Sequence, residues 1–167
     1  MFSLVLGGNK SGKSNLGLAM LEKESGSCCL VVTGRATDLE FNRQIREHKL
    51  SRKANLPVVE VEERLGDCLN SLRLSADAVL VDSIDFWVFT IFQQKHSEKQ
   101  IEYFFRAIDL WQDKRLIFVS AEIGLGPLPY SDFVRSFSRQ LGEVNQRLAK
   151  VCDDVTLSIA GQPVKIK

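Results

Sequence analysis

One run in the chain has the residue types and spacing that suit phosphate chemistry: Gly7-Gly8-Asn9-Lys10-Ser11-Gly12-Lys13-Ser14. It satisfies GxxxxGK(S/T), the pattern of a phosphate-binding loop, and it sits between an apolar run that reads as a strand and a stretch that reads as a helix. Glycines let the backbone turn tightly so that successive N–H groups face inward at phosphate oxygens, and the following helix adds the positive end of its dipole. Lys13 would reach the β- and γ-phosphates as a point charge, and the Ser14 hydroxyl would ligate magnesium. A second run, Ala78-Val79-Leu80-Val81-Asp82, ends an apolar strand in a carboxylate, which makes Asp82 the candidate acid for magnesium support. These parts imply a nucleoside triphosphate bound with magnesium. They do not name the acceptor.

The nucleophile is a separate question. Of two histidines, His96 lies in the polar stretch Gln93-Gln94-Lys95-His96-Ser97-Glu98, which reads as a solvated connection. His48 lies in a charged helical stretch, residues 38–49, with Arg43, Arg46, Lys49 and Arg52 around it as cations for an anionic ligand. A neutral imidazole with a pKa of about 6.5 is a competent nucleophile at phosphorus. An exposed histidine on a helix is also commonly just solvated, so the residues alone leave both readings of His48 open.

These side chains need elements to hold them. Apolar, β-branched runs at residues 2–6, 28–33, 58–61, 78–81, 116–120 and 155–159 alternate with stretches that read as helices. Several runs are nearly continuous in apolar residues, as strands of a parallel sheet covered on both faces are. The fold class expected is therefore α/β, P-loop NTPase-like, with a mostly parallel sheet flanked by helices. A short last strand, residues 164–166, is expected after a turn at Gly161-Gln162-Pro163. The clearest helix is Asp132–Val151, where Phe133, Phe137, Leu141, Val144, Leu148 and Val151 form a stripe expected to be core, with Ser131 as N-cap. Arg135, Arg139, Glu143 and Arg147 take its other faces.

At 167 residues the chain reads as a single domain, 1–167, without internal repeat or linker. Hydrophobic residues at 44% and charged residues at 26% exclude disordered and low-complexity classes. A formal net charge of +1 gives no bulk attraction to nucleic acid or to a membrane surface. The longest apolar run, residues 84–92, falls well short of the roughly 20 residues that span a bilayer. Cys28, Cys29, Cys68 and Cys152 show no CxxC spacing and read as buried thiols. No signal peptide is read at the N-terminus, so a cytoplasmic location is expected.

Further motifs run colinearly along nearly the whole chain. Leu6 to Ser14 resembles GGxRSGKS, and Thr33 followed by Asp38-Leu39-Glu40-Phe41 resembles T…DxEM. Ile45, His48 and Arg52 have the spacing IxxHxxxR, with Glu60 where a further acid is expected. Val79 to Trp87 resembles VLVDxLTxW, Glu122 to Pro129 resembles EVGxGIVP, and Val144 to Ala149 reads as VNQ(R/K)LA. The set resembles the bifunctional adenosylcobinamide kinase/adenosylcobinamide-phosphate guanylyltransferase (CobU) family of cobalamin biosynthesis. That resemblance implies that His48 attacks the α-phosphate of GTP, expels pyrophosphate and carries GMP to adenosylcobinamide phosphate. It also implies a kinase step on adenosylcobinamide from ATP or GTP. Lys13 would act in catalysis beside His48, and Gly7 to Ser14, Thr33, Arg52, Glu60, Asp82 and Glu122 would bind nucleotide, with Ser14 and Asp82 on magnesium. The small-molecule partners would be a corrinoid and a nucleoside triphosphate, and the assembly a homotrimer.

Departures from the family pattern fall on polar positions. Gln44 stands for Arg, Lys53 for Pro, Leu56 for Trp, Val58 for Thr, Thr90 for Asn and Ala121 for Asn. They motivate a second reading, a diverged nucleotide-binding paralogue; a third is a P-loop kinase with a different small-molecule acceptor, in which His48 is incidental. Glu122 itself reads two ways, as a magnesium or guanine contact or as a cap on the turn after it. Asn145 either meets ligand or braces the loop.

Overall fold

The computed structural model describes residues 1–33, 56–94, 97–127 and 129–167. The strands are β1 (Phe2–Gly7), β2 (Cys28–Thr33), β3 (Val58–Val61), β4 (Ala78–Asp82), β5 (Arg115–Ala121), β6 (Asp154–Ile159) and β7 (Gln162–Lys165). The described helices are α1 (Lys13–Leu21), α2 (Leu65–Leu72), α3 (Ile84–Phe92), α4 (Ser97–Asp109) and α5 (Asp132–Val151). One seven-stranded sheet has the order β3-β2-β4-β5-β1-β6-β7. Every pairing is parallel except β6 with β7.

The strands are apolar at successive positions because both faces are covered. Leu4, Val31, Val79, Val81, Leu116 and Phe118 join the core made with α2, α3, α4 and α5. Val5, Leu30, Val32, Leu80, Ile117 and Val119 join the opposite core with Leu18 and Leu21 of α1. This is the period of two expressed on a two-sided sheet. Trp87, Phe104 and Trp111 are fully buried on the first side. On the second side α1 comes close because Gly17 has no side chain: a Cβ there would lie 2.8 Å from Val119 Cγ2.

Three sequence expectations need correction. The stripe of α5 is core only in its middle, where Leu141, Val144 and Leu148 are buried, while Phe133 is 47% and Val151 40% exposed. A 20-residue helix is about 30 Å long. The seven residues of β5 span only about 23 Å, so a strand of the sheet cannot cover the whole length of the helix. Phe133 instead meets the rings of Phe89 and Phe92 on α3. The last strand begins earlier than expected, because the turn is Ala160-Gly161, with φ of 50° and 78°. Two positive φ values match the twist of a tight hairpin, and Pro163 fits an edge strand that has no further neighbour to bond. Of the cysteines, expected as buried thiols, Cys29 and Cys152 are buried, but Cys28 and Cys68 are only half-buried. Among the described residues no helix is long and apolar enough to cross a membrane.

Candidate active site

Parallel strands all end at one edge of the sheet, and the strand order sets β4, β5 and β1 side by side there. Loops leaving those three ends therefore converge, as ligand sites of open α/β sheets do. β1 ends at Gly7 and the chain turns through residues 8–12 into α1. The turn needs left-handed backbone at Lys10, φ 53°, and at Gly12, φ 90°. Ser11 N–H donates to Gly8 O at 3.3 Å, and Leu16 N–H donates to Gly12 O at 3.0 Å, which starts the helix. Lys13 Nζ bends back over the loop and donates to Gly8 O at 3.2 Å. The first turn of α1 has no acidic residue, so nothing there competes with an anion for the dipole.

Asp82 closes β4 within reach of this loop. The Ser14 hydroxyl hydrogen-bonds its carboxylate, and Lys13 contributes a favourable charge. Burial nevertheless dominates and pushes the Asp82 carboxyl up to about 6, with Asp85 adding to the rise. The structure thus brings together Lys13, Ser14 and Asp82, as read from the sequence. Ser14 and Asp82 form an oxygen-only donor set of the kind a hard divalent cation takes. No group of three or more His, Cys, Asp or Glu side chains able to hold a metal occurs among the described residues. The set fits magnesium, which keeps water and substrate phosphates among its ligands instead of taking an all-protein cage.

Around this centre several side chains are braces. Thr33 is 1% exposed; its hydroxyl donates to Ser83 O and accepts from Ser83 N–H at 3.0 Å. It thereby fixes the residue after Asp82. Glu122 N–H donates to Gly7 O at 3.0 Å, and its carboxylate accepts from Gly124 N–H at 2.8 Å. Of its two readings, the structure displays the turn cap. Asn145 is buried, accepting from Ser120 Oγ at 2.7 Å and donating to Ala121 O at 3.0 Å. It braces the end of β5.

Two of the replaced family positions are satisfied internally. Ala121 N–H donates to Asp85 Oδ1 at 3.0 Å, and Thr90 Oγ1 donates to Phe86 O at 3.0 Å. Asp85 was not singled out from the sequence; its only signal is a second acid three residues after Asp82. Ser131 has the extended backbone of an N-cap but makes no side-chain capping bond.

Glu60 stands apart from the loop. It lies on edge strand β3, two strands from β4, or about 10 Å along the sheet. It lines an open hollow of about 430 Å³ with Glu62, Glu63, Arg64 and Asp67. Such a carboxylate suits N–H donors of a base and repels phosphate. His48 and Arg52 lie outside the described residues, as do Gln44 and Lys53.

Comparison with known proteins gives the chemistry a context. Residues 3–166 match the family model described as cobinamide kinase / cobinamide phosphate guanyltransferase. The bifunctional adenosylcobalamin biosynthesis protein CobP of Pseudomonas aeruginosa is 29% identical over 170 residues, covering 100% of this chain and 98% of that protein. The protein CobU of Salmonella typhimurium, of the same description, is 29% identical over 185 residues and covered in full on both sides. Among solved structures, the flagellar accessory protein FlaH of Methanocaldococcus jannaschii aligns with a TM-score of 0.55 at 16% identity, over 99% of this chain and 77% of that one. A type III secretion ATPase aligns with a TM-score of 0.56 at 9% identity, over 93% of this chain and 51% of that one. These two likenesses show the P-loop fold and nothing of the reaction.

Proposed function

The chain belongs to the cobinamide kinase / cobinamide phosphate guanyltransferase family, and from that premise we propose that its single phosphate loop serves both transfers. The observation that carries the reading is the convergence of Lys13, Ser14 and Asp82 at one sheet edge in a chain that matches this family over residues 3–166. In the kinase step, the corrinoid side-chain hydroxyl takes the γ-phosphoryl group of a nucleoside triphosphate. In the guanylyl step, a His48 ring nitrogen attacks the α-phosphorus of GTP, the bond to pyrophosphate breaks, and GMP stays on the ring as a phosphoramidate. The phosphate oxygen of adenosylcobinamide phosphate then attacks that phosphorus and releases the imidazole.

Both steps need charge neutralised where it develops and an attacking atom held in line. Loop N–H groups and Lys13 supply the first. Ser14 and Asp82 would hold magnesium, and the chemistry the ion would supply when bound is neutralisation of phosphate charge. Glu60, in the acidic hollow beyond β2, suits the base, and Arg52 the phosphates or ribose.

Incubation with magnesium and GTP labelled at the α-phosphate tests the reading. It expects an acid-labile, alkali-stable label on the denatured chain that is lost in His48→Ala, with GTP binding retained. A His48→Ala protein that still transfers GMP refutes the histidine mechanism. Absence of label on a wild-type protein that binds GTP leaves the kinase or the binding-only function. The exposed rings of Phe86, Phe89 and Phe133 support an assembly such as the homotrimer, which light scattering in solution checks.

A further inference from the structure

The back of the phosphate loop is held by a part of the chain that carries no phosphate motif. β6 pairs with β1 so that Ser158 lies beside Gly7, the last residue before the loop. Ser158 is 2% exposed, and its Oγ donates to Ser11 O at 2.7 Å. Gly161 N–H, from the hairpin turn that follows β6, donates to the same oxygen at 2.8 Å. The fit is close on both sides. A Cβ on Gly12 would lie 3.1 Å from Gly161 Cα, and a Cβ on Gly7 would lie 2.8 Å from Ser158 O.

These two donors do more than fasten a loop. A trans peptide is planar, so its C=O and N–H point in opposite directions. Fixing Ser11 C=O backward onto the hairpin aims the N–H of the same peptide, that of Gly12, forward into the loop. An N–H aimed in advance stabilises phosphate charge without a reorganisation cost at the moment of reaction. The hairpin supplies its donor through its own geometry, because positive φ at both Ala160 and Gly161 gives the tight turn that brings Gly161 N–H over the loop.

We infer that Ser158, together with the Gly161 N–H, is a positioning residue for the transfer reactions: it sets the Ser11–Gly12 peptide so that Gly12 N–H faces the triphosphate. The inference rests on the reading of residues 7–14 as a triphosphate site. It concerns a residue on the opposite end of the sequence from that motif and makes no claim on the acceptor.

The test compares wild type, Ser158→Ala and Ser158→Thr in GTP binding with magnesium, in the response of the Gly12 amide resonance to GTP in ¹⁵N-labelled protein, and in thermal melting. In the wild type the Gly12 amide is expected to move downfield on binding. Ser158→Ala is expected to halve that shift or more and to weaken GTP binding about tenfold, the equivalent of one hydrogen bond, while melting stays within a few degrees. Ser158→Thr, which restores the hydroxyl, is expected to recover both readouts.

An alanine variant with unchanged GTP affinity and an unchanged Gly12 shift overturns the inference. So does a loss of affinity that follows a loss of melting temperature with the Gly12 shift intact, since that is the pattern of a brace with no aim. A wild-type protein that binds neither GTP nor ATP overturns the triphosphate reading itself and this inference with it, which separates the two failures.

Discussion

Asp82→Asn makes a demanding test of the site, because it is expected to help the fold while harming function. The Asp82 carboxyl is raised from 3.8 to about 6, chiefly by burial. At about 1.36 kcal/mol per pKa unit, that rise corresponds to about 3 kcal/mol of destabilisation once the group is ionised. The folded protein holds this proton more tightly than the unfolded chain does. The stability from the protonated carboxyl is therefore full below about pH 4 and is lost as pH rises through about 6. Asparagine cannot ionise, so the variant escapes that loss. Urea unfolding of both proteins at pH 4 and pH 7.5 isolates the effect, since the other titrating groups are common to both. The stability difference should move in favour of the variant by about 2 to 3 kcal/mol between the two pH values, or about 1 M in urea midpoint for a protein of this size. GTP with magnesium should then stabilise the wild type by mass action and the variant much less. A stability difference that does not change with pH would refute the reasoning.

Lys13→Ala removes the charge that bends over the loop. Triphosphate affinity should fall by about ten- to a hundredfold, as charge-assisted bonds to phosphate are among the stronger ones. Urea unfolding of the free protein should barely change, and unaltered affinity by titration calorimetry would count against the loop assignment. Asn145→Ala leaves Ser120 Oγ and Ala121 O without their partner in a buried setting. A cost of about 2 to 3 kcal/mol is expected, seen in calorimetry as a melting temperature lower by roughly 5 to 10 °C. A drop under 2 °C would show that the amide is not the brace described.

Much of the architecture was legible in the order of residues. β2, β3 and α5 were bounded correctly because a strand covered on both faces and a long amphipathic helix each leave a periodic record. The phosphate loop was legible for a related reason. Its chemistry lies in consecutive backbone groups, so one contiguous stretch specifies it. Asp82 was readable from the same logic, as an acid at the end of an apolar strand. The ends of the α5 stripe were not, because the length of the sheet beneath a helix is a property of other segments.

What the sequence by itself determined is the kind of ligand: glycines, Lys13, Ser14 and a strand-ending acid can be matched to a nucleoside triphosphate without coordinates. What only the tertiary structure decided is which partners the polar residues around the loop hold within the fold. Thr33, Glu122 and Asn145 carry side chains as suited to a ligand as to a brace, and their types cannot distinguish the two. The fold gives their side chains partners in Ser83, Gly124, Ser120 and Ala121, groups distant in sequence or turned toward them by the loop. Ser158 is the reverse case. No motif marks a serine in the penultimate strand, yet the parallel pairing of β6 with β1 sets it beside Gly7, because strand order joins what the chain keeps 151 positions apart, from Gly7 to Ser158.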